Sequence, residues 1–167
     1  DMQPFRLTSG HDLLPMTTAS TLPENHDDTP LTIRSPLSVG LFAGKWCSYN
    51  APPDLPHDQR DEDGGALVFQ TARLDQDIEI CGQPVVELEI EADQPVAMVA
   101  IRLSDIAEDD NATRISYGLL NLTHRDSHEN PEALVPGQFY DVAIKLNDCG
   151  YRFAKGHKIQ LAIATAY

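Results

Sequence analysis

The 167-residue sequence predicts an all-β fold: a two-sheet sandwich of the jelly-roll type behind an irregular, proline-rich N-terminal segment. Three observations carry that expectation. Apolar and polar residues alternate with period two in at least five runs after Ala66. Clusters of turn-forming residues separate the runs. No apolar stripe recurs at the 3.6-residue spacing of a helix. Long strands in a chain of this size favour two packed sheets over one open sheet. Residues 1–65 read as a leader with one short strand, packed on the sandwich, and residues 66–167 as the sandwich itself, together one structural domain.

The leader holds eight of the twelve prolines, at 4, 15, 23, 30, 36, 52, 53 and 56, and little periodicity. Phe5-Arg6-Leu7-Thr8 alternates and is its candidate strand, running into a turn at Ser9-Gly10-His11-Asp12. Residues 15–36 and 50–65 are polar and punctuated by proline, so they read as surface connections rather than helices. In the sandwich, Val86, Leu88, Ile90 and Ala92 share one face of a strand while Glu87, Glu89 and Glu91 share the other, which places one side in water. Val96 to Leu103 is apolar on nearly every residue, as a central, covered strand requires. Further alternating runs centre on Ile115-Tyr117-Leu119, Tyr140-Val142-Ile144-Leu146 and Ile159-Leu161-Ile163. Turns fall at 92–95, 108–111, 135–137 and 155–156.

Charge excludes two classes of partner. Twelve Lys and Arg stand against 26 Asp and Glu, a net charge of −14, and such a field repels phosphate backbones and anionic lipid head groups. Neither nucleic acid nor membrane is expected as a partner, and no apolar run reaches the ~20 residues of a membrane helix. The opening DMQPFRLTSG lacks the basic and apolar regions of an export signal, and its start at Asp1 rather than Met hints at a fragment. Cys47, Cys81 and Cys149 are an odd number without CxxC spacing, which favours free thiols in a cytoplasmic protein and no zinc site.

No site for chemistry stands out. A serine nucleophile elbow needs Gly-x-Ser-x-Gly on a strand-to-helix turn, and the sequence has none. The cluster from Asn121 to Glu129 offers Ser, His and Asp, but near neighbours in one loop do not converge as triad members do. His124 and His128, four apart, would suit a metal only on a helix, so the segment reads as a loop in which Arg125 pairs with local acids. Ser104–Asn111 has a calcium-loop composition without the calcium-loop register and reads as an acidic turn, although a structural calcium stays open. In Asp54–Asp63 a single Arg60 sits among Asp54, Asp58, Asp61, Glu62 and Asp63. It reads either as a solvated acidic loop or as a docking contact to another domain, and Arg60 so placed can pin the segment to its own domain through bidentate pairs. Trp46 and Tyr49 lie in an irregular stretch, where a lone Trp is either a buried anchor or an exposed ring for a sugar face.

The segments in order carry a resemblance. Gly44-Lys45-Trp46-Cys47, then Pro53-Asp54-Leu55-Pro56-His57-Asp58-Gln59-Arg60-Asp61-Glu62, Leu67–Thr71 and Glu79–Pro84 form its first half. Val99–Ile106, Tyr117–Arg125, Leu134–Gly137 and Gly156-His157-Lys158-Ile159 form the second. The chain resembles the C-terminal jelly-roll domain of the X-Pro dipeptidyl-peptidase and cocaine-esterase-like serine hydrolases, strongly from about residue 40 onward. The resemblance implies a galactose-binding-like topology and a partner in the same polypeptide, an α/β-hydrolase domain that carries the catalytic triad. No triad residue falls in this chain, so the isolated chain is expected to be inactive, with no cofactor and no metal. Trp46 and Tyr49 are the candidates for a cleft wall. Asp58, Arg60, Asp61, His124, Arg125 and His157 are assigned structural or interdomain roles, and a homo-oligomer is a further option. The competing readings are a stand-alone carbohydrate-binding module and a protein-interaction sandwich.

Overall fold

The computed structural model describes residues 3–16, 29–45, 49 and 51–167. Among these residues ten strands are arranged in antiparallel sheets: β1 (Phe5–Leu7), β2 (Leu13–Pro15), β3 (Leu67–Gln70), β4 (Ile78–Gly82), β5 (Val85–Ile90), β6 (Met98–Ile106), β7 (Ala112–Asn121), β8 (Tyr140–Lys145), β9 (Cys149–Phe153) and β10 (Lys158–Ala164). One helical turn, α1 (Arg60–Asp63), precedes β3, and 3-10 turns occupy Pro52–Asp54 and Leu122–His124. The main sheet has the order β3-β10-β6-β7. The pairs β4-β9 and β5-β8 form separate two-stranded sheets, and β1-β2 is a hairpin.

Strand β6 holds the position its composition predicts. It lies between β10 and β7, and every residue from Val99 to Ile106 is buried. Directly opposed residues share a face, so the register Leu161↔Leu103 and Ile163↔Ile101 puts Val99, Ile101, Leu103, Ile159, Leu161 and Ile163 on one side with Phe69. These meet Val142, Ile144 and Phe153 from β8 and β9, with Val86, Leu88, Ile78 and Ile80 packed against them, to form the core. On β5 the expected alternation holds, with Glu87 and Glu89 exposed and Val86, Leu88 and Ile90 partly buried.

The opposite face of the main sheet is also dry, and that is less usual for an antiparallel sheet. Ala100, Arg102 and Ser104 from β6 and Gln160, Ala162 and Ala164 from β10 are all buried. They are covered by the leader: Val39 packs on Ala164 and Ala166, and Gln59 and Glu62 are buried above Arg102. The layer order is therefore leader, main sheet, core, second layer of strands.

The sequence reading names β1 but not its partner β2, nor β4 and β9, and it takes residues 50–65 as a connection where α1 forms. Phe5–Leu7 pairs with Leu13–Pro15, where Pro15 is tolerated because it ends an edge strand. The hairpin turn joins β3 through Gln70 N–H to His11 carbonyl, 3.1 Å. Strands β4 and β9 alternate over too few residues to stand out, yet they pair along five positions from Ile78↔Phe153 to Gly82↔Cys149.

Two substitutions test this layering. Ile101 is fully buried at the centre of the sheet. Ile101→Ala should cost roughly 2–5 kcal/mol in urea unfolding, as buried truncations do. Gly118 backs onto the β8 exit, and a Cβ there would lie 2.5 Å from the Lys145 carbonyl oxygen. Gly118→Ala should cost about 1–3 kcal/mol by overpacking, with no cavity to explain it.

Candidate functional site

The densest polar arrangement lies between the main sheet and the leader. Arg102 is 2% exposed in the middle of β6. Its Nη2 donates to Asp63 Oδ1 at 3.3 Å and its Nη1 to Gln59 Oε1 at 3.5 Å, with Glu62 Oε2 at 3.9 Å. Gln160 Nε2 donates to Asp63 Oδ2 (2.9 Å), Gln70 Nε2 to Gln160 Oε1 (2.6 Å) and Lys158 Nζ to Gln70 Oε1 (3.1 Å). The chain of bonds thus crosses β6, β10 and β3 and ends on α1. Burying a guanidinium costs several kcal/mol unless it is paired, and here two carboxylates pair it. Burial pulls Arg102 down from its ordinary value, and Asp63 and Glu62 oppose the shift. Burial pushes Asp63 up, against the Gln160 hydrogen bond and Arg102.

Glu62, 1% exposed, faces the other way as well. Its Oε2 accepts from Gly40 N–H at 2.7 Å and its Oε1 from Phe42 N–H at 2.6 Å. A helix of one turn thereby clamps the loop before it. Gly40 has φ +103°, and a Cβ there would run into the backbone of Tyr167, so only glycine fits this close approach. Beyond the clamp the loop doubles back: Lys45 N–H donates to Asp54 carbonyl (2.9 Å), His57 N–H to Phe42 carbonyl (3.0 Å), and Lys45 Nζ reaches Asp54 Oδ1 (2.5 Å). The Lys45 hydrogen bond, with help from the Tyr49 amide, holds the Asp54 carboxyl below its usual range.

The structure places the sequence-predicted residues as follows. Asp58 Oδ1 accepts from Arg60 N–H and Ala112 N–H, each at 3.1 Å, and Oδ2 accepts from Arg60 Nε at 2.8 Å and Asn111 Nδ2 at 3.4 Å. It staples α1 to the start of β7. Arg60 serves Asp58 alone among the described residues, and Asp61 is exposed. Tyr49 is 90% exposed, while Trp46 lies outside the described residues. His157 Nδ1 lies 2.9 Å from Asp105 Oδ2, to which Tyr151 hydroxyl donates at 2.8 Å. This clasp ties β6 to β9 at one end of the core, and burial, then Asp105, pushes the Tyr151 hydroxyl up to about 12. Asp105 therefore points inward, away from the acidic turn beside it.

Arg125 lies 4.3 Å over the Tyr140 ring, and its Nη1 donates to the carbonyls of Leu122 (3.2 Å) and Glu132 (2.9 Å), fixing that loop to β8. The His124 and His128 rings lie 5.5 Å apart. Among the described residues no group of three or more His, Cys, Asp or Glu is arranged to hold a metal ion. No serine, histidine and acid converge on an open cleft in any of these clusters. Their geometry serves to hold layers and loops in place.

Comparison with known proteins gives this arrangement its context. Residues 12–167 match the family model described as the X-Pro dipeptidyl-peptidase C-terminal non-catalytic domain. The chain belongs to that family. Xaa-Pro dipeptidyl-peptidase of Pediococcus pentosaceus is 28% identical over 58% of this chain and 16% of its own length. Cocaine esterase of a Rhodococcus species is 25% identical over 70% of this chain and 20% of its own. An aminopeptidase structure from a marine sediment Thaumarchaeota archaeon superposes with TM-score 0.65 at 21% identity, covering 72% of this chain and 22% of that one. An α-amino acid ester hydrolase structure superposes with TM-score 0.63 at 23% identity, covering 65% and 20%. The structural likenesses establish the fold. The chain spans about a fifth or less of the curated relatives it matches.

Two carboxyls should titrate in opposite directions within this family member. The Arg60 hydrogen bond, then the backbone amides, lower Asp58. Its stabilising contribution is present above the unfolded value of ~3.9 and is lost as pH falls through the folded one. Asp63 is raised, so the stability tied to its protonated form is present below ~3.9 and is lost as pH rises through the folded value. Carboxyl 13C NMR titration should place the Asp58 midpoint below the ordinary range and the Asp63 midpoint above it.

Proposed function

We propose that this chain is the non-catalytic C-terminal domain of an α/β-hydrolase-type serine hydrolase that acts on X-Pro peptides or on acyl esters. It packs against the catalytic domain of the same polypeptide and forms one wall of the substrate cleft. The observation that carries this reading is the family match over residues 12–167, in a chain that spans a small part of each relative. The chemistry of the described residues supports it. Asp105 and His157 are joined to Tyr151, and buried Glu62 and half-buried Asp63 are engaged with Arg102, Gln160 and backbone amides.

In the whole enzyme a serine supplied by the catalytic domain forms the acyl-enzyme, a histidine there acts as base, and backbone amides hold the oxyanion. This domain contributes rigidity and one side of the cleft. No helix of the described residues is long and apolar enough to cross a membrane. The free thiols of Cys81 and Cys149 support a cytoplasmic setting.

The test uses the full-length polypeptide, assayed with an X-Pro p-nitroanilide and an aryl ester. Full-length protein should turn over at least one of them, and the 167-residue chain neither. Turnover by the chain alone, abolished by one substitution within it, would overturn the reading.

A further inference from the structure

One surface is built to be covered. Residues 35–44 carry no charge in a chain with a net charge of −14. Leu37 is 95% exposed and Leu41 73%, and Phe42, Tyr49 and Leu55 join them on the same doubled-back loop. Single exposed leucines are ordinary, but five exposed apolar side chains within nineteen residues of one segment form a candidate interaction site. This set sits on a fixed support. Glu62 holds the amides of Gly40 and Phe42 from beneath, and Val39 is buried against Ala164 and Ala166. Ser35 Oγ donates to Gly65 carbonyl (2.6 Å) and accepts from Thr165 N–H (2.8 Å). The ordering cost of the loop is therefore met inside the chain before any partner arrives, which is the condition for a preorganised binding face.

We propose that Leu37, Leu41, Phe42, Tyr49 and Leu55 form the face on which the rest of the same polypeptide docks, and that buried Glu62 is the positioning residue that presets it. This rests on the reading above and names the surface through which it operates. Most of the length of the relatives lies outside this segment, so an intramolecular partner is at hand in every copy. A second copy of a chain carrying −14 meets its own repulsive field. The rival apolar set, Val96, Val135 and Phe139, sits among Glu91, Asp93 and Glu132 in sequence and suits dry burial less well. Glu62 acts without touching the partner: it joins Arg102 in the sheet to the loop amides, so the loop's shape is set by the sheet beneath it.

Hydroxyl-radical footprinting of the full-length polypeptide reads this directly. Leu37, Leu41 and Tyr49 should label several-fold more slowly than Val135 and Phe139, although they are the more exposed set in the chain described here. Equal labelling of the two sets, with neither shielded, would overturn both this surface and the reading beneath it. Shielding of Val96, Val135 and Phe139 in their place would overturn the surface and leave the reading standing. Glu62→Gln offers one carbonyl oxygen to two amides and should raise labelling of Leu37 and Leu41 while Ile101 and Leu161 stay unlabelled. Wild-type labelling of the loop in that variant would remove Glu62 from the account. If Ile101 also labels, the variant has unfolded and Leu41→Asp, a surface change, carries the test. It should unshield Leu37 and Tyr49, and continued shielding of both would contradict the proposed face.

Discussion

A single buried charge organises the outer half of this molecule. Arg102 sits where an antiparallel sheet would ordinarily meet either water or a second apolar layer, and it meets Gln59, Glu62 and Asp63. An isolated guanidinium in that position is not tolerable, so the strand that carries it requires the leader to be in place. The requirement is mutual. The sheet supplies Arg102 and Gln160 to half-buried Asp63, and Arg102 to buried Glu62, which otherwise has only the amides of Gly40 and Phe42. Leader and sheet therefore depend on each other through charge, while the core on the opposite side of the same sheet is held mainly by apolar packing, with the Asp105 clasp at one end.

That division of labour fits a domain that serves a neighbour. The core, built from β6, β10, β8 and β9, needs nothing from the leader's outer surface. The leader can therefore present apolar side chains at no cost to the core, from a stretch, residues 35–44, that carries no charge. The His157–Asp105–Tyr151 clasp and the Arg125–Tyr140 stack close the ends of the strands in the same spirit, each joining elements far apart in sequence. None of these clusters has a free nucleophile beside a free base. Membership of a non-catalytic domain family and the chemistry of the side chains agree on this point.

Much of the sandwich was legible in the sequence because long strands advertise themselves. The unbroken apolar run through Val99 and Ile101 marked the central strand, and the Glu87-Glu89 alternation marked a wet face. Strands β4 and β9 were not legible, because three alternating residues cannot be told from a loop. The hold of the leader on the sheet was only half visible. Arg60, the arginine surrounded by acids in sequence, is exposed and binds its own neighbour Asp58. The cation that pins the segment is Arg102, forty residues later, and its signal was present: a charged residue inside an otherwise apolar strand has to find a partner somewhere. Glu62 carried no signal of its own. A carboxylate in a run of five acids reads as solvated until the fold shows what lies above and below it.

The central claim, that Arg102 holds the leader to the sheet, is tested most directly by hydrogen exchange on the Arg102→Met chain. Methionine fills similar space without charge, so the core should persist. The amides of Gly40, Phe42 and Glu62 should then exchange about tenfold to a hundredfold faster, while those of Val142 and Ile144 keep their protection, as expected for sub-global opening of one layer. Unchanged exchange at Gly40 and Phe42, or an equal acceleration at Val142 and Ile144, would contradict the account.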